Sequence, residues 1–395
     1  MSKAMEIQLI PKTDHQQVHR LRDYCFTSKY IGPRREDFQY WVEHSTTIGA
    51  YDVQKLVGQV LVLPLNMTVH GVNYDMGGIG FVATYPEYRN RGIMKKLMIR
   101  ALEEMRKNQQ FISVLAPYLV SFYRYFGWEL FFDKLNYSIP TEAFPDFGSK
   151  LDIVKRFSFE WLDDQVFQEI QQFHNDRAMK TNGGMLRDAA WWQRIARREP
   201  ESHFAAYYDG QQIAGYLRYE IKNCIFTIKD FITENMLAEQ ALWRFITSHA
   251  ASVHKIEGTT SNSRHFGFQF NQPQFKKEII QDVMVRIVDV LAFCEKYPWD
   301  KIEHPLYLLI EDKFCPWNEN LFEINKNGNI KILEVNSVEE KHVLSIPINI
   351  FSSMMVGYLT LGEVLFYAKN TLCDDARKNW ENAILTFVPS FYEYF

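Results

Sequence analysis

The stretch Gly80-Phe81-Val82-Ala83-Thr84-Tyr85-Pro86-Glu87-Tyr88-Arg89-Asn90-Arg91-Gly92-Ile93-Met94 decides how the chain is read. Phe81-Val82-Ala83 is uncharged and strand-like, and Pro86 stops the strand. From Ile93 the pattern changes period. Ile93, Leu97, Ala101, Leu102 and Met105 form one apolar stripe of a helix over 93–107, and Lys95, Lys96, Arg100, Glu103, Glu104 and Arg106 fall mainly on its other faces. Between strand and helix, Arg89 and Arg91 supply positive charge and Gly92 allows a ligand close to the backbone. The free N–H groups and the dipole of the helix start favour an anion at the same place. Strand, basic loop and helix start together read as a pyrophosphate cradle.

Working outward, 15–25 and 38–43 read as helices and 69–74 and 77–84 as strands. After the 93–107 helix come a buried strand over 111–115, a short helix over 119–125 ended by Gly127, and a strand over 128–132. Alternating strands and helices imply a mixed sheet with helices on both faces. Residues 51–58, Tyr-Asp-Val-Gln-Lys-Leu-Val-Gly, are echoed at 208–215 by Tyr-Asp-Gly-Gln-Gln-Ile-Ala-Gly. Each window follows a short apolar run and precedes an alternating strand (59–65 and 216–221), so each reads as a hairpin turning at Asp-x-Gln. So long a period points to a duplicated domain, with chance recurrence of turn chemistry as the alternative. Near 285 the character changes to strands over 307–311, 321–324 and 330–335, with Asn327-Gly328 as a turn signal and an apolar helix over 354–368. The expected domains are 1–150, 151–285 and 286–395.

Composition narrows the class. The 395 residues carry 44 Lys+Arg against 48 Asp+Glu, a net charge of -4 that argues against a general nucleic-acid binder. Apolar residues at 47% and charged residues at 23% are globular values. No run approaches the about 20 apolar residues of a membrane helix; the richest stretch, 346–367, is broken by Pro347, Asn349, Gly357, Gly362 and Glu363. The first residues, Met1 to Glu6, lack an apolar leader core. The five cysteines are far apart and form no C-x-x-C pair. A soluble, cytoplasmic, multidomain protein without a bound metal is expected.

Three letter matches fail on context. Gly78-x-Gly80-x-x-Ala83 fits a dinucleotide fingerprint, but a strand and Pro86 follow where a helix should open. His15 and His19 stand four apart on a helix without a recognisable third ligand, so they read as solvent-facing. His203, His249, His254 and His265 have no Ser or Cys partner at hydrolase spacing.

The segment Arg89-Asn90-Arg91-Gly92-Ile93-Met94 resembles the acetyl-CoA site of the GNAT superfamily, Arg/Gln-x-x-Gly-x-Gly/Ala, with Met94 departing from the usual small residue. Ser121-Phe122-Tyr123-Arg124-Tyr125-Phe126-Gly127-Trp128 is similar to the family element that sets a tyrosine beside the coenzyme sulfur. The closer resemblance is to the enhanced-intracellular-survival (Eis) branch, which joins an active GNAT domain, a degenerate one and a sterol-carrier-like domain. Phe81 to Ile93 fits that branch's coenzyme loop without a gap, while Asp230 to Met236 runs straight into the next helix. Trp317-Asn318-Glu319 and 351–357 suit the third domain.

The resemblance implies an α/β (α+β) fold and an N-acetyltransferase using acetyl-CoA as co-substrate. Its acceptor would be a small cationic amine, aminoglycoside-like or a lysine side chain, and its assembly a homo-hexamer. It assigns coenzyme contacts to Phe81, Val82, Ala83, Thr84, Arg89, Asn90, Arg91, Gly92, Ile93, Met94, Tyr118 and Leu119. Lys95 reads either as a solvated side chain or as a phosphate contact. Tyr123 becomes the general acid that protonates the thiolate. The tail, Ile384-Leu-Thr-Phe-Val-Pro-Ser-Phe-Tyr-Glu-Tyr-Phe395, has Glu393 as its only charged side chain and is expected to dock; the resemblance makes the Phe395 carboxylate the general base. The rival expectation is a non-catalytic lipid-binding or scaffold protein built on the third domain.

Overall fold

A computed structural model describes residues 5–149, 154–160, 163–326 and 328–395. In chain order it shows β1 (Glu6–Leu9), α1 (His15–Cys25), α2 (Pro33–His44), β2 (Thr46–Asp52), β3 (Lys55–Val69), β4 (Val72–Thr84), α3 (Ile93–Lys107), β5 (Ile112–Leu115), α4 (Val120–Tyr125) and β6 (Glu129–Leu130). Next come β7 (Lys134–Pro140), β8 (Val154–Ser158), α5 (Asp164–Met179), α6 (Ala189–Arg198), β9 (His203–Asp209), β10 (Gln212–Lys222), β11 (Ile225–Thr233), α7 (Met236–Thr247), β12 (Lys255–Thr260) and β13 (Lys276–Ile280). The last stretch holds β14 (Met284–Ile287), α8 (Val290–Lys296), β15 (Leu306–Glu311), β16 (Leu321–Ile324), β17 (Ile330–Leu333), β18 (Val343–Pro347), α9 (Ile348–Met355), α10 (Leu361–Ala368) and α11 (Asp374–Ala383).

The chain forms two compact units. The first comprises Met1–Phe132, Thr181–Met185 and Asp282–Phe395, and the second Asp133–Lys180 and Leu186–Gln281. The large sheet of the first unit runs β1-β2-β3-β4-β5-β14-β6, and a smaller one runs β17-β16-β15-β18. The sheet of the second unit runs β13-β7-β12-β11-β10-β9-β8. Thus β14, from beyond the second unit in sequence, is antiparallel to both β5 and β6. Likewise β7, which directly follows the first stretch, lies between β12 and β13.

The helix α3 has the expected bounds and buries Ile93, Leu97, Ala101, Leu102 and Met105. Each such side chain removed from water contributes about 1.5–3 kcal/mol for a Leu, Ile or Met. Gly77 of β4 faces this helix, since a Cβ there would meet the Met105 sulfur; its neighbour Gly78 points to the opposite face. Both Asp-x-Gln hairpins form, β2 turning into β3 after Asp52 and β9 into β10 after Asp209.

Three expectations are corrected. The strand expected over 69–74 is interrupted at His70-Gly71, where both residues have positive φ and β3 turns back into β4. The apolar helix expected over 354–368 is two helices, α9 and α10, because Gly357 at φ 80° breaks the first and Thr360 opens the second with a capping box. His15 and His19 are buried rather than solvent-facing; His19 Nε2 donates to Gln39 Oε1 at 2.6 Å, and the ring meets Phe38 edge-on. The boundary placed at 150–151 and Asn327 of the expected turn lie outside the described residues, as do Met1 to Ala4.

The second unit carries a buried charge cluster that joins β10 and β11 to Arg187 of the connection between α5 and α6. Asp230 accepts two 2.8 Å bonds from the Arg187 guanidinium and one of 2.8 Å from Arg218 Nε. Burial opposes the ionised form of Asp230, but the two guanidinium groups overcome it and hold the carboxyl well below the usual carboxylate range. A depressed folded pKa gives stability that is fully present above the unfolded value of about 3.9 and is lost as pH falls through the folded one. Replacing Asp230 with Asn, which removes the carboxylate shared by two buried guanidinium groups and leaves Glu199 as a partner of Arg218, is expected to cost about 3–5 kcal/mol in urea unfolding at neutral pH. The difference from the parent should shrink as pH falls below about 3.9. Equal midpoints at pH 7 would show that the cluster contributes nothing.

Candidate active site

The site grows from the end of β4. Strands β4 and β5 are parallel and pair only over Met76↔Ile112, Gly77↔Ser113 and Gly78↔Val114. Beyond Gly78 they part, and the backbone of 79–84 is no longer bonded to β5. The same stretch carries a bulge, because Gln59↔Ala83 and Leu61↔Gly80 enclose one residue on β3 but two on β4. Phe81 takes φ 53° there, a left-handed conformation that costs a non-glycine residue about 1–3 kcal/mol. The bulge is held from behind by buried Gln59, whose Nε2 donates to the Phe81 carbonyl at 3.3 Å, and Phe38 packs its ring 4.5 Å from that of Phe81. No sequence pattern announced Gln59 or the strained Phe81.

After Thr84 the chain makes a single 3-10 turn over Pro86–Tyr88 and enters the basic loop. Side-chain ties fix its course. Tyr88 donates its hydroxyl to Asp52 at 2.9 Å, the Arg91 guanidinium lies 5.2 Å over the Tyr88 ring, and Arg89 Nε donates to the Thr84 carbonyl at 3.3 Å. Asn90 and Gly92 are both left-handed, at φ 60° and 70°. Gly92 is the N-cap of α3, and a Cβ built on it would meet nothing within 4 Å. With no capping side chain, the N–H groups of Ile93, Met94 and Lys95 precede the first intrahelical bond, which Lys96 makes to Gly92. A diphosphate fits this cradle: open space, free donors, a helix N-terminus and two exposed arginines.

Of the other expected residues, Ala83 and Ile93 are buried, Phe81, Val82, Thr84 and Met94 are half-buried, and Lys95 is exposed with its ammonium 5.7 Å over Phe314. Tyr118 and Leu119 stand exposed before α4. Tyr123 is buried in the same apolar cluster as Ile79, Ile93 and Leu115. Burial pushes its phenol up to about 12, so it holds its proton throughout the neutral range.

The tail docks in the first unit. Ser390 N–H donates to the Asn182 carbonyl at 2.8 Å, Phe391 is buried against Phe131, and the Phe395 ring reaches Gly78. A Cβ on Gly78 would lie 2.8 Å from the Phe395 ring and 2.9 Å from Leu65. The last side chain therefore sits on the residue at which β4 parts from β5. Phe387 and Val388 of the same tail remain exposed.

The acetyltransferase (GNAT) domain family matches residues 6–131, a second GNAT family matches 183–287, and the sterol carrier protein domain family matches 290–382. The chain is an N-acetyltransferase with tandem GNAT domains and a C-terminal sterol-carrier-like domain. An uncharacterized N-acetyltransferase of Streptomyces avermitilis is 24% identical over 321 residues, 74% of this chain and 76% of that one. The fold matches a conserved protein of unknown function from Enterococcus faecalis V583, designated a probable N-acyltransferase, at TM-score 0.90 and 27% identity over 100% of both chains. Eis1 from Mycobacterium abscessus shares the fold at TM-score 0.82 and 15% identity, over 99% of this chain and 100% of that one. GNAT domains use acetyl-CoA and act on amine acceptors. Among the described residues, no group of acidic, His or Cys side chains could hold a metal, and no helix is long and apolar enough to cross a membrane.

The two GNAT domains differ at the cradle. In the first, eight residues separate β4 from α3; in the second, only Glu234 and Asn235 separate β11 from α7. Gly58↔Thr84 in the first sheet has its counterpart in Gly215↔Thr233, but the bulge falls elsewhere: Asp230 pairs with Arg218, and the extra residue of β11 is Lys229. Replacing Gly92 with Asp puts a side chain and a negative charge at the diphosphate position. Titration calorimetry should show acetyl-CoA affinity falling at least about tenfold, the equivalent of roughly 1.4 kcal/mol. Unchanged affinity in the folded variant would remove the loop from coenzyme binding.

Proposed function

We propose that the enzyme moves the acetyl group of acetyl-CoA onto a primary amine of a cationic acceptor, an aminoglycoside-like polyamine or a lysine side chain, by direct attack while both are bound. The observation that carries this reading is the seat of Phe395 on Gly78, where β4 leaves β5. A thioester threaded along the free edge of β4 reaches that point from the diphosphate cradle. The N–H groups of 82–84 then hold the acetyl carbonyl and stabilise the oxyanion as the amine adds. The C–N bond forms as the α-carboxylate of Phe395 accepts the amine proton. A carboxylate is a weak base for an ammonium, so position rather than basicity drives that transfer. As the C–S bond breaks, Tyr123, a phenol that is protonated at neutral pH, gives its proton to the thiolate.

The second GNAT domain takes no coenzyme in this reading, since only two residues join β11 to α7 and leave no basic loop. The exposed Phe366, Tyr367, Phe387 and Val388 support self-association, as the Eis resemblance implies. The intact basic loop weighs against a non-catalytic lipid-binding or scaffold protein.

Two variants test the roles. Tyr123→Phe should lower turnover about 10²–10⁴-fold with acetyl-CoA affinity nearly intact. A chain extended by a few flexible residues after Phe395 should fold and bind coenzyme but lose transfer. Turnover within about twofold of the parent would make Tyr123 structural, and full activity of the extended chain would remove Phe395 from the mechanism.

A further inference from the structure

The helix that carries Tyr123 is only six residues long, too short to hold its own shape, since isolated helices below about 12 residues are marginal in water. Its end folds back on Tyr123 itself: the N–H groups of Phe126 and Trp128 both donate to the Tyr123 carbonyl, at 3.0 and 3.1 Å. The outermost carbonyl of this turn, that of Phe126, accepts from Nη1 of Arg286, a wholly buried residue of β14. Gly127, at φ 91°, lies directly against the same guanidinium, and a Cβ there would overlap Nη1. The turn is therefore shaped around the arginine.

The guanidinium is itself held from the sterol-carrier-like segment. Its Nη2 donates to both carboxylate oxygens of Asp312, at 2.8 and 2.6 Å, and to the Cys315 sulfur at 2.9 Å, while its face lies 5.4 Å from the Trp128 ring. Asp312 is buried as well and accepts from the N–H groups of Phe314 and Cys315, both at 3.2 Å, and from Asn318 Nδ2 at 2.9 Å. Phe314 then packs its ring 5.1 Å from Phe126. A buried ion pair of this kind gives little stability over apolar side chains of equal volume. It does supply a directional hold on one carbonyl, which apolar packing cannot.

We propose that Arg286, clamped by Asp312 of the sterol-carrier-like domain, is a positioning residue that sets the Tyr123 turn against the thioester. The third domain is then part of the catalytic apparatus of the first. This inference rests on the reading of Tyr123 as the acid.

The experiment is a double-mutant cycle on acetyl transfer, with acetyl-CoA affinity followed by calorimetry. Asp312→Asn in the parent should lower kcat about tenfold or more with acetyl-CoA affinity changed less than about twofold, and in the Tyr123→Phe background it should change kcat by less than about twofold. Cys315→Ala, which keeps both charges, covers failure of the first variant to fold; its loss should be about threefold and should also vanish without the tyrosine. A merely structural role predicts the same fractional loss in both backgrounds, and that result would overturn the proposal while leaving Tyr123 as the acid. If Tyr123→Phe alone leaves turnover unchanged, the acid reading falls and this inference with it. No loss in either Asp312→Asn or Cys315→Ala would overturn the inference alone.

Discussion

Two parallel strands that bond over three residue pairs and then part define this enzyme. Every peptide group left unpaired along 79–84 of β4 must find a partner, because buried backbone donors and acceptors are costly to leave unmade. A β-sheet would normally meet that demand with the next strand. Here the extra residue at Phe81–Val82 turns the edge of β4 away from β5, and the groove between them needs an extended ligand with amide groups of its own. The neighbouring features follow from that fork: the basic loop and the start of α3 lie beyond its open end, and Gly78 marks its base.

The fork is held in shape from several directions. Gln59 and Phe38 support the strained Phe81, Tyr88 ties the loop to Asp52, and α3 packs on the face toward which Gly77 points. Residues distant in sequence close the other side. Strand β14 stands between β5 and β6, so the sheet is complete only after the chain has formed the second unit and returned. The second GNAT domain keeps the same strand order, and β11 and β12 likewise pair over three residues before parting, but only two residues join β11 to α7, and Asp230 of β11 is bound by Arg187 and Arg218.

Much of this was legible in local pattern. The apolar stripe gives α3 its bounds, the Asp-x-Gln repeat marks two hairpins, and the arginine loop with Gly92 reads as a diphosphate cradle, whereas the role of Tyr123 comes from the family resemblance alone. What was missed depends on distant partners. Nothing near His70-Gly71 distinguishes a long hairpin from two strands, and the break at Gly357 is imposed by backbone conformation within an apolar run. His15 and His19 looked solvent-facing because helical spacing alone does not say what packs on them. The insertion of β14 and β7 into their sheets, and the pairing of Arg286 with Asp312, have no local signature, since each joins segments that only the folded chain brings together.

In the proposed reaction the coenzyme lies in the fork between β4 and β5 of the first GNAT domain, with its sulfur toward Tyr123. A crystal structure with coenzyme A bound tests it most directly. The expected result is diphosphate oxygens on the N–H groups of Ile93 and Met94, the pantetheine arm along 81–84, and the thiol beyond the Gly78–Val114 pair within reach of the Tyr123 hydroxyl. Coenzyme bound in the second GNAT domain, or with its sulfur turned away from the β4 edge, would contradict it.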